Sequence, residues 1–406
     1  MDPVRNPYAP GAGQRPPELA GRDAELHGFD VTLERIARGR PERSVILTGL
    51  RGVGKTVLLN ALRSAAVRRG WGTGKLEIRP DRTLRQPLAA ALHPAIRELG
   101  AHEGESRQVL GILKSFAQRE TTTATTGGAP ARRGAAAKVA PRWQPGIDVP
   151  AVSGRADSGD IEIDLVELLT DLAGLAADAG KGIGLFIDEM QDLAPADVSA
   201  LCAACHEVGQ RGLPLVVVGA GLPHLPAVLS ASKSYSERLF RYTRIGRLDR
   251  TAADAALARP AREEGADFTD AALAAMYAVT GGYPYFVQAY GKAAWDYAPG
   301  TPITAADIAL AAPGADAELA VGFFGSRYER ATPAEREYLR AMAEVAGSGE
   351  DDTIATAAVA AVLGRNAQSL SPARDALLKK GLVYSGQRGQ IAFTVPHFGR
   401  YLRAQD

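Results

Sequence analysis

Ser44-Val45-Ile46-Leu47-Thr48-Gly49-Leu50-Arg51-Gly52-Val53-Gly54-Lys55-Thr56-Val57-Leu58-Leu59 decides the fold. The first five residues are an apolar, β-branched run that reads as a buried parallel strand. A complete G-x-x-x-x-G-K-[ST] loop follows, Gly49 to Thr56, and then a helical pattern ending near Gly70. Strand, glycine loop and helix is the context such a loop needs. The glycines let the backbone curl with its N–H groups turned toward phosphate oxygens. The helix N-terminus behind them adds partial positive charge. Gly49, Leu50, Arg51, Gly52, Val53, Gly54, Lys55, Thr56 and Val57 are therefore the candidate binders of a nucleoside triphosphate, with ATP expected. Lys55 would reach the β- and γ-phosphates, and Thr56 would ligate Mg2+ through its hydroxyl.

Further along, Ile183-Gly184-Leu185-Phe186-Ile187 is a second buried strand, and it ends in Asp188-Glu189. A carboxylate at the C-terminal edge of a neighbouring strand can hold Mg2+ through its water, the role expected of Asp188. Glu189 is the candidate general base for the attacking water. The plainer alternative is an acidic cap at a strand end. Gln191 and Asp192 read as solvated surface residues. Leu215-Val216-Val217-Val218-Gly219 is another buried strand. Strands alternating with helices give an α/β P-loop NTPase core, a parallel sheet with helices on both faces.

The 406 residues allow two or three domains. Residues 1–17 are rich in Pro and Gly and read as a flexible leader. Residues 18–250 form the nucleotide-binding core. Within it, 121–159 has no periodicity and few large apolar groups, and reads as a disordered insertion. Residues 251–330 read as an all-α lid. Residues 331–406 read as three helices and a hairpin turning at Gly386-Gln387-Arg388-Gly389, a winged helix. Lys and Arg number 47 against 46 Asp and Glu, so bulk charge gives no case for nucleic acid or membrane binding. No run approaches the roughly 18 apolar residues of a membrane span. Two cysteines make no disulfide framework, and a reduced, cytoplasmic setting is expected. Cys202-Ala203-Ala204-Cys205-His206 matches the haem-attachment spacing, yet it falls within a helical stretch, where such cysteines are small buried apolar groups. His93, His224 and His397 read as structural.

Gly49–Thr56 and Ile183–Glu189 resemble the two nucleotide motifs of AAA-type ATPases. Gly21-Arg22-Asp23-Ala24-Glu25-Leu26 resembles the segment that lies near the adenine in archaeal replication-initiator ATPases, which implies a nucleotide contact for Arg22. Gly281-Gly282-Tyr283-Pro284 resembles the Gly-x-Pro element of STAND-type ATPases, which implies that Pro284 packs on the nucleotide. Ser236-Glu237-Arg238-Leu239 resembles the initiators' Ser-Arg box, which implies a catalytic arginine at Arg238; an ordinary ion pair is the alternative. Two departures stand out against these families. The strand from Leu215 ends Gly219-Ala220-Gly221, with no polar side chain to sense γ-phosphate. Gly282-Tyr283-Pro284 occupies the place of a lid arginine. Both imply slow hydrolysis, suited to a timed conformational switch.

The expected function is thus that of an ATP-hydrolysing switch. The alternative is an ATP-gated DNA-binding protein, with DNA held through Arg374, Lys379 and Lys380 of the winged helix, Arg365 before it and Arg388 at the wing. A small-molecule kinase is a third class. A partner protein is a further candidate ligand of the winged helix, and the sequence leaves the oligomeric state open.

Overall fold

Period-two burial builds the centre of the molecule. In the computed structural model, which describes residues 1–11, 13–80, 82–119, 149–347 and 353–405, five parallel strands form one sheet in the order β2-β3-β4-β1-β5. They are β1 (Ser44–Thr48), β2 (Gly72–Glu77), β3 (Ile183–Asp188), β4 (Leu215–Gly221) and β5 (Phe240–Arg244). Val45, Leu47, Phe186, Val216 and Val218 point into one apolar cluster, and Ile46, Leu185, Ile187 and Val217 into the other. Alternate residues thus serve opposite faces, so helices must cover both. Helices α1 (Asp23–Ala37) and α2 (Lys55–Arg68) cover the first face. Helices α3 (Arg85–Glu98), α4 (Glu103–Gln118), α5 (Ile161–Asp178), α6 (Pro195–Gln210) and α7 (Leu225–Ser232) cover the second. A single turn, α8 (Ser236–Leu239), leads into β5.

Strand β4 lies between β1 and β3, so the Asp188 strand is not the direct neighbour of the phosphate loop. The loop and Asp188 instead straddle the Gly219-Ala220-Gly221 end of β4. Strand β5 was hidden in a stretch of arginines. It is an edge strand in which Phe240 is buried, Arg241 half-buried and Arg244 exposed.

Two expectations about irregular segments are corrected. The N-terminal leader is not flexible: it is a strap docked on the helical lid. Asp2 caps a short 3-10 turn, Pro3–Arg5. The Asn6 amide donates to Lys292 O at 3.1 Å and Asp296 Oδ1 at 2.8 Å. Tyr8 is 3% exposed, and its hydroxyl donates to Leu257 O at 2.6 Å. Its ring lies where a Cβ on Gly291 would come within 3.0 Å. One aromatic anchor with a satisfied hydroxyl does what the composition did not reveal. The expected insertion is ordered at its C-terminal end, and residues 120–148 lie outside the described residues. Ser115 Oγ donates to Val152 O at 2.5 Å, and Arg155 pairs with Asp171 at 2.7 Å. Asp164 accepts from Ser158 N and Oγ and from Gly159 N, and pairs with buried Arg85 at 2.7 Å.

The lid comprises α9 (Arg250–Glu263), α10 (Asp270–Thr280), α11 (Pro284–Tyr297) and α12 (Ala305–Leu319). Helix α12 runs on through a π-helical segment, Ala320–Gly325, into α13 (Ser326–Tyr328). This continuous helix is long and apolar enough to cross a membrane by length and composition, which corrects the expectation that no such stretch exists. The stretch is rich in alanine, and its Ala315, Leu319, Phe323 and Phe324 enter the protein's own core. The C-terminal unit follows: α14 (Pro333–Ala346), β6 (Ile354–Ala355), α15 (Thr356–Val362), α16 (Ser371–Lys379), β7 (Val383–Tyr384), β8 (Gln390–Phe393) and α17 (Phe398–Arg403). Its three strands pair antiparallel in the order β6-β8-β7. Phe286 of the lid, Phe323 and Phe324 of the π segment and Phe398 of the C-terminal unit share one apolar cluster. The expected boundary near residue 330 therefore crosses packed core.

Candidate functional site

The phosphate loop has the backbone its sequence demands. Gly52 and Gly54 sit at φ +83° and +89°, the left-handed region, and Gly54 is the N-cap of α2. A Cβ on Gly49 would lie 2.2 Å from Ile245 O, so only glycine fits between the loop and the end of β5. Lys55 is 8% exposed, and its ammonium closes on the loop itself, donating to Gly49 O and Leu50 O at 2.9 Å each. Burial pushes Lys55 down to about 8; Glu189 and Asp188 offset part of the shift and Arg51 adds to it.

Arg22 is buried beside the loop. Its guanidinium donates to Val53 O at 3.3 Å and Gly246 O at 2.7 Å. It therefore braces the loop backbone while lining the cavity. Burial lowers its affinity for its proton, and Glu25 opposes the shift.

Asp188 is 5% exposed at the end of β3, and its Oδ1 accepts the Glu189 N–H at 3.0 Å. Among the described residues it has no ion pair. A buried carboxylate and a threonine hydroxyl are hard oxygen donors, and Asp188 and Thr56 fit Mg2+ on that chemistry. Glu189 takes φ +50°, the left-handed region, which a non-glycine residue rarely adopts. Its carboxylate accepts from Arg51 Nη1 at 3.1 Å and from Gln191 Nε2 at 2.6 Å.

Gln191 is not a bystander, contrary to expectation. Its Oε1 accepts the Leu222 N–H at 3.0 Å, and a Cβ on Gly221 would meet that same oxygen at 2.7 Å. The β4 end lacks a polar side chain because Gln191 already lies over it. Asp192 faces the same cavity; burial, then Glu189, raise its affinity for a proton.

The loop opens into a cavity of about 1280 Å³ that the strap, the lid and the C-terminal unit all help to line. From the lid, Pro284 lines it, and Tyr285 N–H donates to Gly52 O at 3.2 Å. The ring of Tyr285 stacks on Phe323 at 4.5 Å, while Tyr283, Phe286 and Tyr290 are buried in the lid core. From the C-terminal unit, Thr394 O accepts the Arg51 main-chain N–H at 2.8 Å. Lys379, Lys380 and Gly381 form part of the roof. Arg238 is not brought to this cavity. It is exposed ahead of β5, beyond the Ser44–Phe240 end of the β1–β5 pairing, whereas the loop follows the Thr48–Arg244 end. Five strand residues separate the two ends, about 17 Å. The expected action of Arg238 on phosphate within the same chain is therefore corrected.

Cys202 and Cys205 are buried in α6, and burial pushes their thiols up to about 11 and about 12. His224 lines the cavity and stacks with Tyr384, and His397 packs on Tyr283 and Phe286.

Residues 18–218 match the AAA ATPase domain family, which spans the loop, Asp188 and Glu189. The chain carries an AAA ATPase domain. The AAA domain binds ATP and belongs to the ATPases. Residues 321–402 match a separate family, a domain of unknown function, which begins in the π segment. No curated protein matches the chain in sequence. Among solved structures, a Walker-type ATPase of Pyrococcus abyssi is similar in fold, with a TM-score of 0.58 at 16% identity, covering 96% of this chain and 97% of that one. The RuvB Holliday junction branch migration motor of Thermotoga maritima aligns with a TM-score of 0.44 at 18% identity, over 94% and 96% of the two chains. The Orc1 protein of Aeropyrum pernix, solved in complex with DNA, aligns with a TM-score of 0.45 at 14% identity, over 96% and 94%.

Proposed function

We propose that the chain is a slow ATP-hydrolysing switch whose C-terminal unit, read as a winged helix, follows the nucleotide state through Arg51. One observation carries this reading. Arg51 gives its main-chain N–H to Thr394 O of the C-terminal unit and its side chain to Glu189, the candidate base. A single loop residue thus joins the phosphate cradle, the base and the roof.

Chemically, bound triphosphate would lie against the loop amides, with Lys55 swung from the loop carbonyls to the β- and γ-oxygens. Mg2+ held by Thr56 and Asp188 would neutralise charge on the bridging phosphates. Water attacks the γ-phosphorus, the bond to the ADP oxygen breaks, and the water's proton passes to Glu189. In the resting arrangement each carboxylate oxygen of Glu189 accepts one bond, from Arg51 and from Gln191. Turning toward an attacking water weakens those bonds, which supports slow turnover. Differential contacts with the lid and roof are what a ligand needs to move such an equilibrium. Two free, buried thiols suit a reducing, cytoplasmic setting.

The DNA reading gains no support from the side chains it needs. Arg365 pairs with Glu337, Arg374 with Asp375 and Lys380 with Glu335. Lys379 and Lys380 line the nucleotide cavity. The acidic run Glu350-Asp351-Asp352 lies outside the described residues. Calorimetry and phosphate release test the switch. Lys55→Ala is expected to abolish ATP binding, and Glu189→Gln to bind ATP while losing at least about 100-fold in turnover. Undiminished hydrolysis in both variants would end the proposal.

A further inference from the structure

The roof of the cavity carries cations that, among the described residues, have no carboxylate partner. Arg327 on α13, Arg330 just after it and Lys379 on α16 all line the cavity, and among the described residues none of the three has a carboxylate partner. Lys380 beside them is paired with Glu335 at 2.6 Å. Arg327 is partly buried. Its guanidinium lies over the Phe323 ring at 4.3 Å from the centroid and donates to Phe323 O. Phe323 in turn approaches the phosphate loop: its ring tip is 3.7 Å from where a Cβ on Gly52 would stand. Arg330 and Lys380 lock the bracket, Lys380 Nζ donating to Arg330 O at 2.8 Å and Arg330 Nη2 to Lys380 O at 3.5 Å.

Arg327 is half-buried while Arg330 and Lys379 are exposed; the three like charges share one wall, and an anion between them would relieve their repulsion. Burial, then Arg51, then Arg330 all disfavour the charged form of Arg327, with Tyr285 opposing. Geometry places the group: Arg327 lies over Phe323, and Phe323 abuts Gly52, the loop residue next to Arg51, whose side chain holds Glu189.

We infer that Arg327 and Arg330 bind the terminal phosphate of bound ATP from the roof. This rests on the ATP reading above. They supply the cationic contact that Gly219-Ala220-Gly221 and Gly282-Tyr283-Pro284 do not. A planar guanidinium matches phosphate oxygens in two-point contacts. The pair lies in the segment that joins lid and C-terminal unit, so gripping γ-phosphate pulls on both.

Calorimetry with Mg-ATP and Mg-ADP on the full chain tests the assignment. The native chain is expected to prefer ATP. Arg327→Ala and Arg330→Ala are each expected to weaken ATP by about 10- to 100-fold while leaving ADP within about threefold. Arg327→Lys, which keeps the charge, should recover part of the loss. Unchanged ATP affinity in both alanine variants overturns the assignment, and so does an equal loss for both nucleotides, which would mark a packing role. Should Arg327→Ala not fold, exposed Arg330 decides by the same ratio. If the native chain binds neither nucleotide, the ATP reading itself has failed; if it binds ATP and the variants do not discriminate, only the roof assignment has.

Discussion

Lys55 is the residue whose chemistry the fold alters most. Its ammonium is held under loop carbonyls, and burial lowers it from an ordinary 10.5 to about 8. The sign of the consequence for folding follows directly. Between about pH 8 and 10.5 the unfolded chain binds the proton that the folded chain has lost, so this group makes the free protein more stable as pH rises through that window. Below it, Lys55 is charged in both states and adds no slope. Phosphate binding needs the charged form. ATP affinity is therefore expected to hold steady up to about pH 8 and then fall by up to tenfold per pH unit, as calorimetry across pH 7 to 10 would read. Lys55→Arg should remove the bend, because guanidinium stays protonated. A native profile as flat as that of Lys55→Arg would show that another group governs the pH response. At this scale the loop and Asp188 were legible because a fixed spacing on one strand–loop unit encodes them. The role of Gln191, and the links of Arg51 beyond the loop, were not, because their partners, Leu222 and Thr394, come from distant segments that only the fold brings near.

Among the elements, the segment 149–159 leading into α5 is pinned beside a buried ion pair. Arg85 and Asp164 are 3% and 0% exposed, and the carboxylate also receives Ser158 and Gly159. The Arg85 guanidinium lies 4.8 Å from the Phe116 ring centroid. Removing one member leaves the other charged, buried and unmatched. Asp164→Ala is expected to destabilise the chain by about 3–5 kcal/mol in urea unfolding. An effect under about 1 kcal/mol would mean that water reaches Arg85 and the pair is not the pin described. The same segment shows what pattern reading misses. Val152 and Ser158 are ordered by hydrogen bonds to helices, not by apolar periodicity, so nothing repeats for a window to detect. The strap is similar, since Tyr8 and the Asn6 amide anchor a Pro- and Gly-rich stretch by single contacts that leave no pattern. Strand β5 was masked by its arginines, and α17 by its brevity. Long periodic elements such as α5 and α6, with their apolar residues at helical spacing, were plain from the start.

Across the whole molecule, the AAA domain, lid and C-terminal unit close around one cavity, and the loop meets the lid at Gly52 and the C-terminal unit at Arg51. Its side chain restrains the base, and its main chain holds Thr394. If Arg51 acts as a brake, Arg51→Ala frees Glu189 from its cation without touching the loop's main-chain donors. Steady-state phosphate release is then expected to rise by about 3- to 10-fold, about 0.7 to 1.4 kcal/mol off the barrier. Hydrogen exchange gives the second half of the test, since the main-chain bond to Thr394 survives the substitution. Amides from 382 to 395 should be more protected with ATP than with ADP in Glu189→Gln, because only the terminal phosphate gives the roof a contact to close on. A fall in turnover on Arg51→Ala would instead mean that the guanidinium works on phosphate during the reaction. Exchange at 382–395 that ignores the nucleotide would leave the C-terminal unit a fixed cover, and the molecule an ATPase without a moving part at its roof.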